Sequence, residues 1–183
     1  MDRCANDATL VALMSLQRRS FLKLGIGAAA VLALAGGGIA LLNPGLRQGR
    51  LTNAGRDVFA AVARAVLDGS LPLDAEQRIT ALREHMRRLD DALAAFPPTV
   101  QSELSQLLAI LSSPPGRAVI AGLHPGWSQA SVSQLQSALQ DMRNSSLALR
   151  QQAYHALRDL TNAAYFADPQ AWPLLGYPGP REV

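Results

Sequence analysis

Two proline pairs, Pro97-Pro98 and Pro114-Pro115, constrain this chain more than any other feature. Proline lacks a backbone donor and clashes with the preceding turn, so no helix runs through either pair. The flanking residues nevertheless repeat their apolar positions every three to four residues, the period of a helix buried by one face. The chain is thereby cut into short amphipathic helices, none of which can bury its apolar side alone.

A first helix opens at Thr52, whose hydroxyl can cap it, and stops at Gly69. Val58, Ala61, Val62, Ala65 and Val66 share one of its faces. A second opens at Asp74, with Gln77 three residues on as a loose capping box. Its apolar stripe is Ile79, Leu82, Met86, Leu89, Leu93 and Phe96, and charged residues, including Arg87, Arg88, Asp90 and Asp91, cover the rest. A third runs from about Thr99 to Leu111, with Leu104, Leu107, Leu108 and Leu111 inward. A short helix from Gly116 to Leu123 precedes the turn "HPGW". Ser128 or Ser131 caps the next helix, which carries Val132, Leu135, Leu139 and Met142 inward and reaches Arg143. Ser145 or Ser146 caps the last, with Leu149, Ala153, Leu157, Leu160 and Ala164 inward, and Asp168-Pro169 ends it.

No segment alternates strongly with period two, and no unit repeats at about 20–50 residues. The expected fold is all-α: a single compact domain of five or six helices over 52–183, after a linker at 43–51. With 49% hydrophobic and 17% charged residues the composition is that of a folded chain.

Residues 1–42 read as an export leader, with a basic region followed by an apolar run. The string Arg18-Arg19-Ser20-Phe21-Leu22-Lys23 resembles the twin-arginine motif, although Gln17 stands where Ser or Thr is usual. That motif implies recognition by the twin-arginine translocase, through Arg18, Arg19, Phe21, Leu22 and Lys23, and export of an already folded chain. The run 24–42 holds 19 uncharged residues, five of them glycine. It can be cleaved after Ala33-Leu34-Ala35 or kept as a membrane anchor, since about 20 apolar residues span a bilayer. Either outcome leaves the folded part in the periplasm. Translation from Met14 would also give a leader of the usual form.

The formal charge of +3 and the pI near 9.6 belong to this N-terminal part. Six of the 17 basic residues and two of the 14 acidic ones precede Leu51, which leaves 11 against 12 beyond it. The folded part thus carries no electrostatic footprint for nucleic acid.

Its chemistry is equally sparse. The single cysteine, Cys4, lies ahead of the leader arginines, so the folded part has no thiolate for a disulfide, an iron–sulfur cluster or a haem attachment. His85, His124 and His155 form no H-x-x-x-H pair, and a metal site would need distant ligands. His124 reads as a turn residue and His155 as a helix-surface residue. The serines cluster at helix starts, where capping explains them, and no G-x-S-x-G, G-x-G-x-x-G or Walker lysine occurs. The only lysine is Lys23, which excludes Schiff-base chemistry after the leader. Asp90-Asp91 point about 100° apart on a helix and read as a solvated face. No catalytic, metal or cofactor residue is expected.

Six of the eight aromatics beyond the leader follow His124: Trp127, Tyr154, Tyr165, Phe166, Trp172 and Tyr177. The last four lie among Pro169, Pro173, Pro178 and Pro180. Aromatics on proline-held loops suit a protein interface, with a tail packed on its own helices as the alternative.

The string "AYFADPQAWPLLGYPGP", 164–180, resembles the C-terminal signature of the gluconate 2-dehydrogenase subunit 3 family. In that signature an aromatic pair precedes Asp-Pro, then Trp, Gly-Tyr and a Gly-Pro end. Here these are Tyr165-Phe166, Asp168-Pro169, Trp172, Gly176-Tyr177 and Gly179-Pro180. The leader and the helix after Thr52 are also similar, while the stretch between Asp74 and Leu123 matches no motif. The resemblance implies a non-catalytic small subunit of an exported flavin dehydrogenase. The FAD would sit in a large subunit of the glucose–methanol–choline type, often joined by a cytochrome c subunit. The large subunit commonly lacks a leader and leaves with the small one. The residues expected to meet such a partner are Tyr165, Phe166, Asp168, Pro169, Trp172, Tyr177, Pro178 and Pro180, with Trp172 and Tyr177 as anchors and Trp127 a weaker candidate. A free-standing periplasmic or membrane-tethered helical binding module is the alternative.

Overall fold

Thr52, Asp74 and Ser131 each set a helix start, and among the described residues six helices make an all-α domain. The structure, a computed structural model, describes residues 43–179. The leader motif, the apolar run 24–42, the two start sites and Pro180 lie outside the described residues.

The segment expected as a linker is instead a small β-hairpin. β1 (Leu46–Arg47) pairs antiparallel with β2 (Arg50–Leu51), Leu46 opposite Leu51. Gln48 and Gly49 both turn through positive φ, 50° and 75°, which suits the twist of a two-residue hairpin. The pleat sends Leu46 and Leu51 into the main core, so this segment is part of the domain. Gly45 carries no side chain because a Cβ there would collide with Cβ of Leu108. Its N–H donates to Ser105 O at 3.2 Å, and the Leu46 N–H to Ser105 Oγ at 3.1 Å.

α1 (Asn53–Val66) follows, its end capped by Thr52 Oγ1, which accepts from Gly55 N. It is the central helix. Val58, Ala61, Val62 and Ala65 are buried as expected, but so are Phe59 and Ala63, because α1 is enclosed on more than one side.

α2 (Ala75–Ala94) starts under Asp74, which accepts from Gln77 N at 2.8 Å. The expected stripe holds from Leu82 onward, with Leu89 and Leu93 buried and Leu82, Met86 and Phe96 packed partly buried against the cores, but it fails at Ile79. The buried residues of α2 are His85, Leu89, Asp90 and Leu93, while Ile79 is 57% exposed. The reason is geometric. His85 and Arg88 lie level with Tyr165 and Ala164, near the end of the helix on which α2 packs. The turns of α2 before Ala81 pass beyond that end, and residues 75–80 are exposed at all six positions.

α3 (Pro98–Ser112) begins with proline in its first turn, where the missing N–H costs nothing. Leu104, Leu108 and Leu111 are buried and Leu107 half-buried. α4 (Pro114–Gly116) is capped by Ser113 and runs on as a π-helical turn (Arg117–Ala121), stopped at Gly122 with φ 68°. Both Ser131 arms of a capping box open α5 (Val132–Arg143), so Ser131 rather than Ser128 is the cap. α6 (Ala148–Phe166) has no side-chain cap at its first turn; Ser145 Oγ instead accepts from Leu147 N at 3.2 Å.

Two further expectations are corrected here. Asp90 is not solvated: it is buried, accepts from Leu51 N at 2.9 Å and pairs with Arg56. Asp91, pointing away from it, is exposed and bonds Arg87 at 3.1 Å. Trp127 is 4% exposed, lies in the main core and donates from Nε1 to Leu111 O at 2.7 Å. A buried ring with its polar edge satisfied within the chain is a core residue, not an interface anchor.

Candidate functional site

After α6 the chain continues in regular structure for seven more residues. Asp168 turns it into a 3-10 helix (Pro169–Leu175), accepting from Gln170 N at 3.0 Å. Gly176, with φ 68°, closes that helix, and 177–179, the last described residues, lack regular structure.

Four side chains fix this segment to the helices. The Tyr165 hydroxyl donates to Ser70 O at 2.7 Å, tying α6 to the α1–α2 loop. Arg88 of α2 bonds Asp168 at 3.0 Å and donates from Nε to Ala164 O at 2.9 Å. Trp172 Nε1 donates back to Phe166 O at 2.9 Å. Ala171 is buried in a second, smaller core with Ala63, Leu67 and Tyr165. Arginine suits the Arg88 position because its planar fork serves a carboxylate and a carbonyl together.

The nine interface candidates therefore part company. Tyr165 is buried and Asp168 is held by Arg88, so both act within the chain. Phe166 is half-buried, edge-on to Tyr165 at 5.2 Å. Trp172, also half-buried, stacks obliquely on Tyr177 with ring centres 5.3 Å apart and borders Gly179. Tyr177 is 47% exposed, and Pro169, Pro173 and Pro178 are exposed beside it. The structure thus stacks Trp172 on Tyr177, with Pro173 and Pro178 exposed next to them in the chain, on a braced segment. It removes Trp127 to the core.

Beside this surface lies a cleft of about 910 Å³. Its walls are the α1–α2 loop, the first turns of α2 and the 3-10 helix. Leu71, Pro72, Ala171 and Pro173 give it apolar surface; Glu76 and Glu84 face it from α2, and the Arg88–Asp168 pair closes one side. Sequence reading missed this cleft. One signal was available: "LPLD" places Leu73 directly before a helix cap, where a large aliphatic is 97% exposed.

Below the cleft is His85. It is fully buried, and neither ring nitrogen has a hydrogen-bond partner. Burial, then the charge of Arg88, lowers its pKa from 6.5 to about 4, so the ring is neutral near pH 7. Burial, then the Asp168 charge, raises the pKa of Tyr165 despite the opposing effect of Arg88, which keeps its proton on the hydroxyl that binds Ser70. His124 and His155 are exposed on separate elements. Among the described residues no three His, Cys, Asp or Glu side chains are grouped to hold a metal ion, and no helix is long and apolar enough to cross a membrane.

This braced aromatic surface and the cleft beside it are the candidate site. No protein-family model, curated protein or solved structure matches the chain.

Proposed function

We infer that this chain is a non-catalytic accessory subunit of an exported flavin-dependent dehydrogenase of the glucose–methanol–choline type. It serves as export escort and stabilising partner, and the FAD belongs to the catalytic subunit. The twin-arginine string at Arg18-Arg19 supplies the address, and a retained run 24–42 would add a membrane tether. The observation that carries the reading is the C-terminal segment. Arg88, Tyr165 and Trp172 hold it rigidly, yet Tyr177 and three prolines face outward. A surface ordered before binding loses less entropy on association, which is the use of such a brace in an obligate subunit.

The test is affinity capture of the tagged full chain from the envelope fraction of its native source. Co-purification of a stoichiometric flavoprotein, with a flavin spectrum in the eluate, is expected. Tyr177→Ala should weaken that co-purification. Recovery of the chain alone, folded and without flavin, would refute the accessory-subunit reading and favour a free-standing binding module.

A further inference from the structure

We propose that the hairpin end of the domain is a membrane-facing surface. Arg47 and Arg50 bind the phosphates of anionic lipid there, and the uncharged stretch joining α2 to α3 lies against the headgroups. This rests on retention of the run 24–42 as a tether, and it adds which side of the domain meets the bilayer.

Three observations carry it. The first is where the chain leaves the domain. The uncharged run ends at Leu42, and the chain is already fixed at Gly45 by its bond to Ser105 O. Three residues span at most about 11 Å. A bilayer that holds the run therefore brings its headgroup layer within reach of the hairpin.

The second is charge. Arg47 and Arg50 face each other across the two strands, and both are exposed, because the pleat gives the other side to Leu46 and Leu51. Like charges directly opposite weaken a strand pair, so the fold gains nothing from this one. A hollow of about 460 Å³ between the hairpin and the start of α1 is lined by these two arginines and by no acidic residue. Asp57, one turn along α1, lies outside that lining. Of the acids that touch the hairpin, Asp90 is taken by Arg56, and Asp91 lies closer to Arg87 than to Arg50, at 3.1 against 4.0 Å. Arg47 has no ion-pair partner among the described residues.

The third is the neighbouring surface. The hairpin turn packs on the end of α2 and the start of α3: a Cβ at Gly49 would lie 3.1 Å from Ala94 Cα and 3.3 Å from the Gln101 side chain. From Ala92 to Ser102 the chain carries no charge, and Pro97, Pro98, Thr99 and Val100 are all exposed. Guanidinium groups beside an uncharged, partly apolar loop match a layer of phosphates over acyl chains. The C-terminal surface stays clear of such a contact. Thr52 bonds Gly45 at one end of α1, while Ala63 and Leu67 pack with Tyr165 and Ala171 toward the other, about 20 Å along the helix.

The experiment uses the full chain reconstituted into vesicles of phosphatidylcholine alone or mixed with phosphatidylglycerol. Cys4→Ser removes the native thiol, and Val100→Cys carries a polarity-sensitive fluorophore. Its emission should shift to the blue in the mixed vesicles and not in the neutral ones. Arg47→Gln with Arg50→Gln should abolish the shift, and added salt should weaken it, because the attraction to the surface is screened. The same label at Glu76→Cys, on the far turns of α2, should report water in both vesicles. Arg47, Arg50, Glu76 and Val100 are exposed, so circular dichroism and the melting temperature should match wild type. An equal shift in both vesicles, no shift in either, or a shift kept by the arginine double variant would overturn the proposal. Inorganic phosphate removing the shift at an ionic strength where chloride leaves it would also overturn it, by showing a small-anion site. Extraction of the chain from both vesicles by alkaline carbonate would refute the tether, and the proposal with it; retention without a shift would refute the proposal alone. The arginine double variant should still capture the flavoprotein, so the accessory-subunit reading is judged separately.

Discussion

His85→Leu should stabilise the domain and remove part of its sensitivity to acid. His85 sits where the α2 stripe calls for an aliphatic, fully buried, with both ring nitrogens unpartnered. A buried polar group without a hydrogen bond costs about 1–3 kcal/mol, and a leucine of similar volume removes that cost. At pH 7 a gain of about 1 kcal/mol is expected, since part is offset by imperfect repacking. The pH dependence is more diagnostic. The folded-state pKa, about 4, lies below the ordinary value of 6.5 because burial and Arg88 oppose the imidazolium. As pH falls below about 6.5, the unfolded chain takes up a proton that the folded one does not, so stability drops until the folded ring also titrates near pH 4. That separation is worth about 3 kcal/mol in all, and the variant should lack it. Urea unfolding of both proteins at intervals from pH 7 to pH 4 measures the difference directly. The carboxylates contribute equally to both, so the two curves of stability against pH should diverge as acid is added. Parallel curves would refute the argument, and would mean that the ring finds a partner or solvent in solution.

Thr161→Val should raise stability by about 1 kcal/mol, because the Thr161 hydroxyl is buried and unpartnered and valine keeps its shape; thermal unfolding reads it. Asp90→Leu should cost about 3 kcal/mol, since it strands the Leu51 N–H and the Arg56 charge together, measured by urea unfolding. Arg88→Met keeps the side-chain stem but frees Asp168 and the Ala164 carbonyl, at about 1–2 kcal/mol. Hydrogen exchange should then speed up in 169–179 while α3 and α5 stay protected. Arg18→Lys with Arg19→Lys should leave the chain in the cytoplasm on fractionation, because an ammonium lacks the guanidinium fork; arrival in the periplasm would refute the twin-arginine reading.

The helix count and most boundaries were legible because caps and breakers act locally. Thr52, Asp74, Ser131 and the two proline pairs do what their side chains dictate wherever the rest of the chain goes. The hairpin was not legible. Strands of two residues are too short to show alternation, and "RQGR" lacks the usual Asn-Gly turn signal. Asp90 was misread, and the burial of His85 went unread, for a related reason. Burial of a polar residue is decided by a distant partner, Leu51 and Arg56 in one case and the end of α6 in the other. Trp127 carried no sequence mark to separate a core ring from an exposed one. At the candidate site the aromatics and prolines were visible, but the brace was not. Arg88 lies 80 positions from Asp168, among arginines that cover the surface of α2.

The hairpin also has a mechanical meaning. Whatever pulls on the chain ahead of Asn43 loads this domain at Gly45 and Leu46, which are bonded to Ser105 of α3. The same hairpin is fastened to α2 by Asp90 through Leu51. Tension arriving from the N-terminal side is therefore shared between two helices instead of peeling α1 from its end. Leu46 and Leu51 would have to leave the core before any helix could be drawn out. The domain resists a tug at its leading end as a knot resists a tug on its cord.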